Sequence, residues 1–233
     1  MALHSISKNL FRLFLRRTCP GCGSDREQGE LFCPWCSLRI ERCGTAHWSG
    51  SGLPAGSSEP SGVLVHSSVL FTGIPGEILR RLKFDGEKHL ASAAAGIILD
   101  HSRILPAEGD LLVPVPAGRS RRRERGYNQA ALISRRLACL TGASSDEMLA
   151  RKDGPSQVGL SFTERRKNVE GAFRLKRRKA VRKDVRIWVV DDVATTFSTI
   201  HSAATALLDS GFEAVCGLTL AYRRKTAGSI IRL

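Results

Sequence analysis

Arg186 to Ile200 reads RIWVVDDVATTFSTI. Ile187, Trp188, Val189 and Val190 form a continuous apolar run rich in β-branched and aromatic residues, which predicts a strand buried on both faces of a parallel sheet. A strand interior hardly tolerates adjacent carboxylates. Asp191 and Asp192 are therefore expected to mark its carboxyl end, where open α/β sheets hold their ligands. Thr195, Thr196, Ser198 and Thr199 then lead into a helical pattern carried by Ile200, Ala203, Ala204, Leu207 and Leu208. A hydroxyl-rich turn opening a helix suits an anion, because free N–H groups and the helix dipole both favour a phosphate. The plainer alternative is a buried strand whose two acids cap the next helix.

Upstream, Leu111 to Pro116 (LLVPVP) is a second strand, with prolines that deny it ladder donors near its end. It is followed by Gly118, an arginine cluster (Arg119, Arg121, Arg122, Arg123, Arg125) and RGYNQ at the mouth of a helix carrying Ala130, Leu132, Ile133 and Leu137. Val63, Val65, Val69 and Phe71 predict a further strand, and Ile78, Leu79, Leu82 and Phe84 recur at helical spacing. Lys83 to Gly86 reads as a turn before an Ala-rich helix from Leu90 to Leu99; Lys83 is either a solvated residue or a phosphate contact. A short strand is expected over Glu147 to Ala150, and Val215 to Tyr222 adds a last one. Strands alternating with helices imply an α/β fold.

Cys19-Pro-Gly-Cys22 and Cys33-Pro-Trp-Cys36 are two C-x-x-C pairs with ten residues between them. Two tight knuckles of this kind can close four thiolates around Zn²⁺. A disulfide reading would need an oxidising compartment and a secretion signal, and neither is evident. Cys43 and His47 do not complete a second site and are expected not to ligate.

With 233 residues, the chain suits one α/β domain of about 150–180 residues plus a smaller module. The N-terminal apolar residues Leu10 to Leu15 are interrupted by Arg12 and closed by Arg16 and Arg17, too short and too charged to span a bilayer. They predict a short amphipathic helix, and the protein is expected in the cytoplasm. A run rich in Gly, Ser and Pro from Trp48 to Gly62 reads as a linker. The net charge of +14 points to a polyanionic partner, nucleic acid first, although charge runs are also ordinary solvated faces.

The succession of strand, Asp-Asp, hydroxyl turn and helix resembles the phosphoribosyl-diphosphate motif of type I phosphoribosyltransferases. That resemblance implies that Asp191 and Asp192 hold the ribose hydroxyls, while Thr195, Thr196, Phe197, Ser198 and Thr199 wrap the 5′-phosphate. Phe197 departs from the family, which normally has Gly there; at φ > 0 a Phe costs roughly 1–2 kcal/mol. The loop after the LLVPVP strand, with Pro116, Ala117, Arg125, Gly126 and Asn128, is by the same resemblance the pyrophosphate loop.

VPVP followed by RERGYNQ, then Arg151, Gln157, Gly159, Leu160, Arg165 and RKNVEGAF to Phe173, is similar to the ComF family of competence-associated, phosphoribosyltransferase-like proteins. The resemblance implies a parallel sheet with helices on both faces, preceded by a small zinc-ribbon-like module. It divides the chain into a module over residues 1–47, a linker over 48–62 and a phosphoribosyltransferase-like domain over 63–233. Gln157, Arg165 and Asn168 would belong to a mobile loop that closes over the diphosphate. Implied companions are structural Zn²⁺, Mg²⁺ with bound phosphoribosyl diphosphate or nucleotide, single-stranded DNA, and competence or recombination proteins. Two functions follow: a DNA-uptake or DNA-utilisation protein with a ribose-phosphate site, or an active phosphoribosyltransferase with an unidentified acceptor.

Overall fold

The apolar run Ile187 to Val190 is covered on both sides, Ile187 and Val189 entering one core and Trp188 and Val190 the other, as the two-residue period of a strand requires. The computed structural model describes residues 18–43, the backbone of 46–48, and residues 63–151, 171–176 and 182–224. The expected N-terminal helix, residues 49–62 of the linker, the loop bearing Gln157, Arg165 and Asn168, and the basic residues 177–179 and 225 lie outside the described residues.

Six strands form one sheet: β1 (Ala46–Trp48), β2 (Leu64–Leu70), β3 (Leu111–Pro114), β4 (Ser144–Ser145), β7 (Ile187–Ala194) and β8 (Val215–Tyr222). Their spatial order is β1-β2-β8-β7-β3-β4, parallel throughout except for the antiparallel edge strand β1. The short strands β5 (Leu149–Arg151) and β6 (Phe173–Leu175) pair antiparallel as a separate ribbon. β1 straddles the junction that the sequence places between residues 47 and 48, and there it serves as an edge of the main sheet.

Helices α2 (Gly73–Phe84), α3 (Leu90–His101) and α5 (Gln129–Thr141) cover one face, whereas α6 (Ser198–Leu208) covers the other. In α3 the buried Ala91, Ala93, Ala94 and Ala95 keep the helix slim enough to lie between its neighbours. Fully burying Ile78, Leu79 or Leu82 of α2 contributes about 1.5–3 kcal/mol each. The cysteine segment, with the short helix α1 (Pro34–Ser37), is part of the same core, since Leu31, Phe32, Cys36 and Ile40 join the residues of α2 and α3.

Two glycines set how closely these layers meet. A Cβ on Gly96 would lie 2.7 Å from Leu31 Cδ2, so the bare backbone of α3 admits the cysteine segment. A Cβ on Gly217 would lie 2.7 Å from Ile200 Cγ2, so β8 can receive the first turn of α6 only at a glycine.

Three local expectations need correction. β7 does not end at Val190 but continues through both acids to Ala194, because β8 remains paired with it to Ala194 opposite Tyr222. The arginine cluster is not an irregular loop: Arg119–Arg125 form a helix, α4, with no buried residue, in keeping with the good helix propensity of Arg. Phe84 fits the apolar spacing of α2 yet is 65% exposed, for it lies at the last position of the helix, beyond the neighbours that cover Leu82.

Candidate functional site

β3 and β7 are neighbours whose chains leave in opposite directions. After β3 the chain passes through α5 to β4 on one side, and after β7 it passes through α6 to β8 on the other. α5 and α6 also cover opposite faces, so the carboxyl ends of β3 and β7 border a crevice of the kind that holds ligands in open α/β sheets. The ladder between them reaches Pro114 and Val190, and Val115 N–H still donates to Val190 O at 2.9 Å. Past that bond β3 turns away, and the next residues of β7 are Asp191 and Asp192.

The pleat sends neighbouring side chains to opposite faces. Asp192 is 9% exposed and its Oδ2 lies 2.9 Å from Lys83 Nζ, on the face covered by α2. Asp191 Oδ1 accepts the backbone N–H of Asp192 at 2.8 Å. Burial first, and then the neighbouring Asp192 charge, push the Asp191 carboxyl up to about 7, against the weaker opposing pull of that hydrogen bond, Lys83 and Arg151. Arg151 in β5 is itself lowered by burial and by Arg121, so the Asp191 carboxylate is part of its balance. The acids thus form a strained pair of negative charges with cations drawn in from α2 and β5.

Directly after β7, Thr195 and Thr196 are exposed and Phe197, Ser198 and Thr199 half-buried, with Thr196 Oγ1 and Ser198 Oγ 2.9 Å apart. Phe197, at the N-cap of α6, offers no side-chain cap hydrogen bond, so among the described residues the first turn keeps N–H groups for an external acceptor. Phe197 occupies the left-handed region at φ 57°, alone in this among the described non-glycine residues. Its ring stacks on Tyr222 with centroids 5.2 Å apart and packs against the core beneath α6. That stacking offsets part of the backbone cost the sequence predicts for it.

On the other side of the crevice, Pro116 and Ala117 are half-buried and α4 follows, turning through Gly126 into α5. Asn128 Nδ2 donates to Val115 O at 2.9 Å and ties the start of α5 to the end of β3. Tyr127 Oη donates to Leu82 O at 2.6 Å, fixing the α4–α5 elbow to α2. Arg125 places its guanidinium 4.9 Å from the centre of the Phe84 ring. Among the described residues, the buried Gln129 finds no hydrogen-bond partner for its Nε2 at the same elbow.

Cys19, Cys22, Cys33 and Cys36 bring their four sulfurs within 4.8 Å of one another, with Cys22 and Cys33 at 3.6 Å. Tetrahedral thiolates about 2.3 Å from a zinc ion stand about 3.8 Å apart, so the cluster can hold a metal ion. Burial raises the Cys36 thiol well above its ordinary value, and this sulfur becomes a thiolate only where a cation replaces the proton.

Sequence reasoning left Lys83 undecided, and its contact with Asp192 places it at the acids. It missed Arg151 as a partner of Asp191, a relation across 40 positions that no local pattern carries. It also missed a network at the opposite edge of the sheet, where Asp110 accepts from Arg186 Nε and Nη2 and from Trp188 Nε1, each at 2.9 Å, and from Ala107 N at 3.0 Å. A cavity of about 650 Å³ opens there, lined by Glu108, Asp110, Ser144, Arg182 and Arg186. Both of its arginines already pair with carboxylates, Arg182 with Asp184 and Arg186 with Asp110. Size alone therefore does not make it the reactive centre, and the acids, cations and open helix turn at the carboxyl edge carry more chemistry.

No family model matches the chain. Competence protein ComFC of Bacillus subtilis (strain 168) is 33% identical over 136 residues, 58% of this chain and 54% of that protein, so the match spans about half of that relative. Competence protein F of Haemophilus influenzae is 31% identical over 207 residues, 84% of this chain and 81% of that protein. DNA utilization protein YhgH of Escherichia coli (strain K12) is 30% identical over 209 residues, 84% and 80% of the two chains. With such identity sustained across most of both chains, and with a parallel sheet that carries a four-cysteine cluster beside it, this chain belongs to the ComF family.

Proposed function

We propose that the protein is a DNA-uptake or DNA-utilisation factor whose carboxyl sheet edge binds a ribose phosphate, with phosphoribosyl diphosphate as the fullest ligand. The observation that carries this reading is the run of Asp191, Asp192 and the uncapped hydroxyl turn of α6 at the crevice between β3 and β7. Asp191 and Asp192 take the ribose hydroxyls and, in the reactive form, stabilise positive charge at the anomeric carbon. Thr195, Thr196, Ser198 and Thr199 surround the 5′-phosphate with hydroxyl and backbone N–H donors. Pro116, Ala117, Arg125, Gly126 and Asn128 form the wall that receives pyrophosphate. Mg²⁺ arrives with the diphosphate as part of the ligand.

Calorimetry with phosphoribosyl diphosphate and Mg²⁺ tests the site. Native protein should bind, and an Asp191→Asn/Asp192→Asn double variant should lose the heat of binding; silence from native protein defeats the reading. Release of pyrophosphate on adding an acceptor base would make the site that of an active phosphoribosyltransferase.

The uptake role is supported by relatives named for competence and DNA utilisation, by the charge of +14 and by the exposed arginines of α4 at the same sheet edge. Its partner is single-stranded DNA, in company with competence or recombination proteins. The metal of the cysteine cluster is Zn²⁺, which joins Cys19, Cys22, Cys33 and Cys36 into a structural site. Elemental analysis should return one zinc per chain, falling to none in a Cys33→Ser/Cys36→Ser variant.

A further inference from the structure

Phe84 is an apolar ring with no place in the core. The stripe of α2 buries Ile78, Leu79 and Leu82 but leaves Phe84, its last residue, 65% exposed. The Arg125 guanidinium lies over the ring, 4.9 Å from its centre, and among the described residues Arg125 Nε has no hydrogen-bond partner. Among the described residues no carboxylate pairs with Arg125, so its positive charge is kept for something outside the fold.

The surroundings hold this pair still. Tyr127 Oη bonds to Leu82 O at 2.6 Å, two residues before Phe84, and Lys88 Nζ sits 5.0 Å above the Tyr127 ring. The elbow between α4 and α5 is thereby locked against the end of α2. Lys83, next to Phe84 in the chain, reaches Asp192 at 2.9 Å, so this end of α2 is also tied to β7. On its other flank α4 presents Arg121, Arg122 and Arg123 to solvent.

An exposed ring, a stacked guanidinium and a run of solvated arginines are the parts with which proteins bind unpaired strands, bases lying on π-faces while cations follow the phosphates. We propose that Phe84 and Arg125 form a stacking ledge for one unpaired base of a single-stranded nucleic acid whose backbone follows α4. A duplex keeps its base faces stacked and has none to offer, so the ledge selects single strands. This inference rests on the single-strand reading above and adds to it the residue that meets a base.

The test is fluorescence anisotropy on the full chain, using a labelled thymidine oligonucleotide and an abasic oligonucleotide of equal length. Native protein should bind the thymidine strand roughly tenfold more tightly than the abasic one. Phe84→Ala should erase that margin with abasic affinity unchanged, and Phe84→Trp should keep it. Equal affinity of native protein for the two strands, or a margin that survives in Phe84→Ala, overturns the ledge alone. So does an equal weakening of both strands in Phe84→Ala, which would reduce Phe84 to a prop for Arg125. Native protein that binds neither strand removes the single-strand reading itself.

Discussion

Two aspartates at opposite ends of the same pair of strands have opposite surroundings. Asp110, just before β3, is 6% exposed and accepts four hydrogen bonds, from Arg186 twice, from Trp188 and from the Ala107 amide. Asp191, just past the end of the β3–β7 ladder, accepts the amide of Asp192 and feels that residue's negative charge, and its carboxyl is pushed up to about 7. An acid that holds a fold together is saturated with donors. An acid kept short of donors beside a like charge is unfavourable for the fold and useful to a ligand that brings cations or hydroxyls.

The contrast can be broken at either end. Asp110→Ala should have the largest effect, because it strands the buried Trp188 Nε1–H and unpairs Arg186. A loss of about 3 kcal/mol is expected, seen as a drop of about 10 °C in thermal melting. A variant melting within a degree of native protein would mean that water replaces the carboxylate without loss.

Asp191→Asn should act in the other direction and less strongly. The folded state raises this carboxyl above its ordinary value of 3.8 to about 7, so the native protein holds an extra proton between those values. Its stability from this group is full at the acid end and lost as pH rises through about 7. The amide carries no charge at any pH. Asp191→Asn should therefore match native protein near pH 4 and exceed it above pH 7; the whole shift is equivalent to about 4 kcal/mol, which solvent at this half-buried carboxyl screens to about 2 kcal/mol, or about 5 °C. A variant that melts below native protein at pH 8 would show Asp191 to be as well satisfied as Asp110.

Phe197→Gly should give the smallest change. Glycine relieves a left-handed conformation costing roughly 1–2 kcal/mol but forfeits the stack on Tyr222, worth about 0.5–1.5 kcal/mol, together with apolar burial. A net loss of about 1 kcal/mol is expected by denaturant titration. A much larger loss would make the aromatic ring a structural wall of the hydroxyl turn.

What could be read in the sequence was what local period and spacing encode. The apolar runs gave β2, β3, β7 and β8, the helical stripes gave α2, α3, α5 and α6, and paired C-x-x-C spacing gave a cluster that the fold brings together. Relations that depend on which strands become neighbours were hidden. Nothing near Asp110 announces Arg186, 76 positions away, and the acids of β7 stay in the strand only because β8 continues beside them. Phe84 misled for a simpler reason. Helical spacing tells which side a residue faces, whereas burial also depends on how far the covering layer extends. The placements of Gln157, Arg165 and Asn168 fall outside the described residues and stand as proposals.

Among the described residues, the main sheet ends in a three-residue strand on one side, β1, and a two-residue strand on the other, β4. Long unpaired borders recruit strands from other molecules, and short ones give them little to grip. For a protein that the proposed role would crowd along a polyanion, this matters more than it would in dilute solution. Neighbouring copies brought side by side by shared phosphates would meet blunt margins and charged helices, and could remain separate molecules while bound in a row.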